Sequence, residues 1–360
     1  MKRKVVFAGL IALLSLVSCT TKKQEKEEAV KFSVTKPLVI DTSFVKVYVS
    51  QIRSVRNIEI RTQEKGFLQN IYVDEGQFVN AGQVLFRIMP KMYEAELLKA
   101  QAEEKAAEIE LLNAKTLADK NVVSKSEQAM AQAKLQQAKA EVAIASLHLS
   151  FTEIRAPFSG TIDRIPKKLG SLIEEGELLT SLSDNSKMYA YFNVSEPEYL
   201  EYQINVKDRG DANVTLLLAN GQPLKYKGKV EVIESEFDSE TGNIAFRASF
   251  PNPDKLLKNG ETGQVQMKVP VKNALVIPQK ATYEIQDKKY VFVVDKNNKL
   301  KSKEITIKGE MSDLYVINSG ITVDDKILFE GIQKANENDK IKYDYLDPKK
   351  VISSLKLKSE

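Results

Sequence analysis

The sequence predicts a mainly β protein of several domains, with an α-helical hairpin inserted into one of them. Three observations carry this expectation. A pattern of glycines and aliphatic residues occurs twice: Gly66, Ile71, Gly76, Val79, Gly82, Leu85 and Ile88, then at the same offsets Gly160, Ile165, Gly170, Ile173, Gly176, Leu179 and Leu182. Between the copies the chain is rich in Ala, Glu, Lys and Gln, and from Met92 to Asn121 it has no Gly or Pro, which is strong helix composition. After the second copy, short apolar runs broken by Gly and Asn turns read as strands.

The 360 residues suffice for two or three domains with a core that needs no staples. Hydrophobic residues make up 42% and charged residues 28%, an ordinary globular balance. The net charge of +4 is the small difference between 53 basic and 49 acidic residues. No basic face with interleaved aromatics stands out, which argues against nucleic-acid binding. The single cysteine, Cys19, and single histidine, His148, exclude a disulfide framework. They also weigh against a Cys/His zinc site and a thiol–imidazole pair.

Residues 1–18 read as a secretory signal. Lys2, Arg3 and Lys4 precede the apolar run Val5–Val17, which is too short to span a bilayer comfortably. The ending Leu16-Val17-Ser18-Cys19 resembles the bacterial lipoprotein signal, which implies cleavage before Cys19 and acylation of that cysteine. Acyl chains there would anchor the protein without a spanning helix, at about 0.8 kcal/mol per buried CH2. Residues 19–33 are then a polar, charged, lipidated tether.

Residues 34–62 are rich in Val, Phe, Tyr and Thr and read as N-terminal strands. Residues 63–90 hold the first copy of the repeat. Its Asp74-Glu75-Gly76 and Asn80-Ala81-Gly82 are turn chemistry, with glycine where the backbone needs positive φ. Residues 91–150 form the hairpin. In its first helix Ala95, Leu98, Ala102, Ile109, Leu112 and Thr116 follow a three–four stagger, with Lys105 in the missing slot. Asn121–Ser124 breaks the pattern. Ser124 with Glu127 reads as a capping box opening the second helix, where Ala131, Leu135, Ala138, Val142, Ala145 and Leu149 hold the stagger. Two such seams predict an antiparallel coiled coil, mostly solvated on its outer faces.

Residues 151–184 carry the second copy, which pairs with the first in a small β-sandwich. Residues 185–271 read as a small antiparallel barrel, with Met188, Ala190, Phe192 and Val194 alternating inward and a short helix from Ser195. The Asp238–Gly242 turn with Glu234 and Glu236 reads as solvated, since no partner base or pocket accompanies it. Residues 272–345 form a last β region with a hairpin at Asn297-Asn298. Residues 346–360 are Lys-rich and expected to be mobile.

The split repeat, the inserted hairpin and Ala156-Pro157-Phe158-Ser159-Gly160-Thr161-Ile162 resemble the lipoyl domain of periplasmic adaptor proteins, or membrane fusion proteins, of RND-type tripartite efflux pumps. The resemblance continues at Phe246–Pro253 and Leu256–Gly260 and covers nearly the whole mature chain. It implies an elongated, non-enzymatic protein without cofactor. Its parts would be a coiled-coil hairpin, a lipoyl-like sandwich, a β-barrel and a membrane-proximal β domain that includes the N-terminal strands. It implies a periplasmic location, lipid-anchored through Cys19 to the inner membrane of a Gram-negative bacterium. The implied partners are an inner-membrane RND transporter, an outer-membrane channel and further copies of the chain in a trimeric or hexameric ring. The exported cargo would be drugs or other small molecules.

In the family a tip pattern of Arg, then Leu, then Ser is associated with docking to the channel. Leu117 and Ser124 match its spacing; the Arg position is Asn113, and Lys120 or Lys115 is a candidate for the missing charge. Capping alone also accounts for Ser124. Two other readings compete. An adaptor of an ABC-type exporter or of a metal-efflux pump is one, although the seven methionines are scattered. A carrier or hydrolytic enzyme is the other, but no lysine sits at a turn joining the two halves.

Overall fold

The computed structural model describes residues 32–204 and 213–356. Cys19, the signal and nearly all of the tether thus lie outside the described residues. Within them the chain is mainly β with a helical hairpin inserted, as expected, and it divides into two compact units. One unit is residues 46–268. The other joins the segment up to Val45 to the segment from Val269 onward.

In the first unit the repeat forms a sandwich of two interlocked halves. Strand Gly66–Ile71 of the first half pairs with Leu172–Ile173 of the second, and Phe78–Val79 of the first pairs with Gly160–Ile162 of the second. Each half has too few strands to cover its own apolar face, so each completes the other. Equivalent positions of the repeat meet in the shared core: Val79 and Ile173, Leu85 and Leu179, and Ile88 and Leu182 are all fully buried. The turns repeat too. Gly76 and Gly170 have φ of 79° and 84°, where a Cβ costs roughly 1–2 kcal/mol. Their amides donate across the halves, Gly76 to the Ile162 carbonyl at 2.9 Å and Gly170 to the Leu68 carbonyl at 2.8 Å.

The insert is helix α1 (Lys91–Asp119) and helix α2 (Lys125–Phe151). At 1.5 Å per residue it is about 40 Å long. Glu110 of α1 and Lys134 of α2 pair across it at 2.5 Å. In α2 the expected seam faces inward: Ala131 and Leu135 are buried, and Ala138, Val142, Ala145 and Leu149 are half-buried. In α1 the expectation is corrected. Ala95, Leu98, Ala102, Ile109, Leu112 and Thr116 are exposed, and the seam is Leu97, Ala100, Glu104, Ala107, Leu111, Ala114 and Ala118. Both stripes have coiled-coil spacing. The observed one carries alanine at every seventh position, Ala100, Ala107 and Ala114, and the seam of α2 holds Ala131, Ala138 and Ala145, so the backbones can approach closely. Leu98, Ile109 and Leu112 would hold them apart.

Also in this unit, six strands close into a barrel. In order these are residues 46–61 of the strand Leu38–Arg61, then Leu178–Ser195, Asn243–Pro251, Gly228–Ile233 and Asn213–Leu218, and residues 262–268 of the strand Thr262–Pro278, which returns to the first. Met188, Ala190, Phe192 and Val194 point into its core, as the alternation predicts. Helix α3 (Glu196–Ile204) packs Tyr199 and Tyr202 against the core, edge-on to Phe246.

In the second unit Phe32–Thr35 pairs antiparallel with Ile327–Glu330 and parallel with Tyr343–Tyr345. The expected hairpin joins Lys288–Val294 to Leu300–Glu310, with Asn298 left-handed at φ 58° and Asp295 accepting the Asn297 and Lys299 amides. The expectation of a mobile tail from residue 346 is corrected for its first part. Asp347 accepts the amides of Lys349 and Lys350 and so caps helix α4 (Pro348–Lys356), whose Val351 is buried. The apolar Val351, Ile352 and Leu355 recur at helical spacing, a signal that the lysines of the tail mask in composition.

Candidate docking site at the hairpin tip

The tip is built by two helix ends. Lys120 is the C-cap of α1, and Asn121 follows in the left-handed region at φ 55°. The Asn121 amide donates to the Ala118 carbonyl and the Val122 amide to the Leu117 carbonyl, both at 2.9 Å. This is a Schellman termination with Asn in the place glycine usually takes. Ser124 then sits at φ −75° and ψ 152°, and its Oγ accepts the Glu127 amide at 3.2 Å. The tip is thereby held rigid by backbone bonds and one capping side chain.

Asn113, Leu117 and Lys120 follow one another at spacings of four and three residues, which places them on one face of α1. All three are exposed, and so is Ser124. Their side chains are free to meet a partner, apart from the capping bond of Ser124. Sequence reasoning missed Val122, which is 67% exposed at the extreme of the loop. It also missed the exposed stripe of Leu98, Ile109 and Leu112. The equal spacing of the two candidate stripes in α1 was the signal that one of them must face outward.

The feet of the hairpin are fastened to one short link between the strands Leu38–Arg61 and Gly66–Ile71. His148 Nδ1 of α2 lies 2.5 Å from Glu64 Oε1, and the Tyr93 hydroxyl of α1 donates to the Lys65 carbonyl at 2.9 Å. Glu64 hydrogen-bonds the imidazole and holds its pKa above the usual histidine value, with the charges of Glu64, Glu96 and Glu175 adding to this against some desolvation. Burial, then Glu64, pushes the Tyr93 phenol up.

The arrangement offers contact surface. Asp238, the most suggestive acid of the barrel, accepts the amides of Glu240 and Thr241, and these bonds depress its pKa. Glu234, Glu236 and Glu240 around it are exposed. Among the described residues no group of three or more His, Cys, Asp or Glu could hold a metal ion. No described helix is long and apolar enough to cross a membrane.

Comparison with known proteins bears on the same segments. Residues 56–183 match the barrel-sandwich hybrid domain of RND membrane fusion proteins, 187–271 their β-barrel domain, and 273–334 their C-terminal permuted SH3 domain. The efflux pump periplasmic linker BepD of Brucella suis biovar 1 (strain 1330) is 30% identical over 314 residues, covering 80% of this chain and 79% of its own. The antibiotic efflux pump periplasmic linker protein ArpA of Pseudomonas putida is 30% identical over 289 residues, covering 77% and 78%. A crystallised MacA–MexA chimera carrying the Pseudomonas aeruginosa MexA α-hairpin aligns with a TM-score of 0.57 at 25% identity, covering 68% of this chain and 87% of that one. The family models are of the RND type and do not favour the ABC-exporter or metal-efflux reading. The chain belongs to the RND-type membrane fusion proteins, the non-enzymatic periplasmic linkers of efflux pumps.

Proposed function

We propose that this protein bridges an inner-membrane RND transporter to an outer-membrane channel for the export of drugs, solvents or similar small molecules, the cargo classes in its relatives' names. Acylated Cys19 anchors it to the inner membrane, and the hairpin tip meets the channel through Leu117 and Ser124, with Asn113 and Lys120 beside them. The carrying observation is the exposure of Leu117 and Val122, 40% and 67%, at the end of a helix pair whose feet are fastened to the sandwich.

Several copies assemble as a ring. The stripe of Leu98, Ile109 and Leu112, at 67%, 51% and 63% exposure, supports lateral contacts between hairpins. Asn113 in place of the family's Arg makes the tip less basic, and Lys120 supplies the remaining positive charge on that face.

Crosslinking in intact cells followed by purification of the complex tests this reading. Recovery of a transporter and a channel is expected; recovery of neither overturns it. The anchor has its own check. Cys19→Ala should release the protein from membranes in cells lacking the partners, and continued membrane association there would contradict lipid anchoring.

A further inference from the structure

The second unit contains a cavity that the docking reading does not use. Its volume is about 450 Å3, within the range of small-molecule sites. Three segments enclose it: Ser43–Val45 of the N-terminal strand, the Glu310–Leu314 turn, and the face of α4 that bears Ile352 and Leu355. Phe44 and Leu314 are buried beneath it. The Phe44 ring lies flat against Gly309, where a Cβ would come within 2.5 Å of it. The floor is therefore apolar and shaped by a glycine.

The rim is acidic. Glu310 and Asp313 line the cavity, and their carboxylates make no hydrogen bond or ion pair among the described residues. Such charges next to an apolar floor attract a cation and repel an anion. Ser43 and Ser312 add hydroxyls that can accept hydrogen bonds. We propose that this cavity binds a small organic cation with an apolar body, its charge held between Glu310 and Asp313 and its body against Phe44, Leu314 and the Ile352–Leu355 face of α4. This goes beyond the docking reading and does not depend on it.

The test uses the full chain in nanodiscs of neutral lipid, with empty nanodiscs as reference. Rhodamine 6G, an apolar cation, is titrated by fluorescence anisotropy, and the anionic apolar dye 8-anilinonaphthalene-1-sulfonate serves as comparison. Rhodamine 6G should bind, and the anionic dye should not displace it. The double substitution Glu310→Gln with Asp313→Asn should weaken binding roughly tenfold, the scale of a lost charge pair in a partly enclosed site. Ser312→Trp, at an exposed position on the rim, should block it without disturbing the buried floor. Glu284→Gln, elsewhere in the same unit, should leave it unchanged. Absence of rhodamine 6G binding to the unsubstituted chain overturns the proposal, as does equal binding by the rim variants. Displacement by the anionic dye would show a merely greasy surface and overturn it equally.

Discussion

His148 Nδ1 lies 2.5 Å from Glu64 Oε1, joining the foot of α2 to the link that enters the sandwich. This is the sole histidine of the chain. Its folded-state pKa is raised, first by the Glu64 hydrogen bond. A group raised on folding contributes stability that is fully present below its unfolded pKa of about 6.5, and that contribution is lost as pH rises through the folded value. The unsubstituted chain should thus resist opening at the hairpin base more than His148→Gln does near pH 6, and the difference should fade in alkaline buffer. Hydrogen exchange of the α2 C-terminal amides across that range measures it. A gap that widens with rising pH would contradict the pairing.

The choice of seam in α1 is testable by a pair of substitutions. Leu111→Ala removes a half-buried side chain of the observed α1 seam and should destabilise the hairpin by about 1–2 kcal/mol. Leu112→Ala removes an exposed one and should change it by less than about 0.5 kcal/mol. Opening free energies of hairpin amides give both values in the isolated chain. Reversed magnitudes would restore the stripe that periodicity alone suggests.

Why α2 was legible and α1 was not follows from their side chains. In α2 the Ala131–Leu149 stagger runs without a gap, and that face is buried. In α1 two stripes share the spacing, and the buried one contains Glu104. The other holds the larger aliphatic side chains, Leu98, Ile109 and Leu112, and periodicity records spacing but not how closely two backbones can pack. The sandwich was legible because glycine turns leave a sharp signature in sequence. The link at Glu64 and Lys65 was not, since His148 and Tyr93 reach it only once the hairpin has folded back. The tip residues were named from a spacing, and the Schellman turn at Asn121 was readable only in hindsight, from a lone Asn after a long helix.

The repeat predicts equal behaviour at equivalent turns. Gly76→Ala and Gly170→Ala should each cost roughly 1–2 kcal/mol, from positive φ alone. An added Cβ meets nothing within 4 Å at either position, so no clash contributes. Chemical denaturation of each variant compares them. A large difference between the two would break the structural equivalence of the halves.

Helix α4 gives a prediction for the C-terminal region. Asp347→Ala removes the cap that receives the Lys349 and Lys350 amides at 2.9 and 3.2 Å and should cost about 1 kcal/mol. Val351→Ala should cost about 1–2 kcal/mol by opening space in a filled core. Thermal unfolding of the second unit's amides, followed by exchange, reads both. Neither change would register if residues 346–356 were an unpacked tail.

The bridging role rests most directly on what the tip touches. A photo-crosslinking amino acid at position 117, in cells making the whole pump, should yield an adduct with the outer-membrane channel, and Leu117→Asp should lower export. Adducts only with the transporter, or none, together with full export by Leu117→Asp, would contradict the assignment of the tip as the docking end.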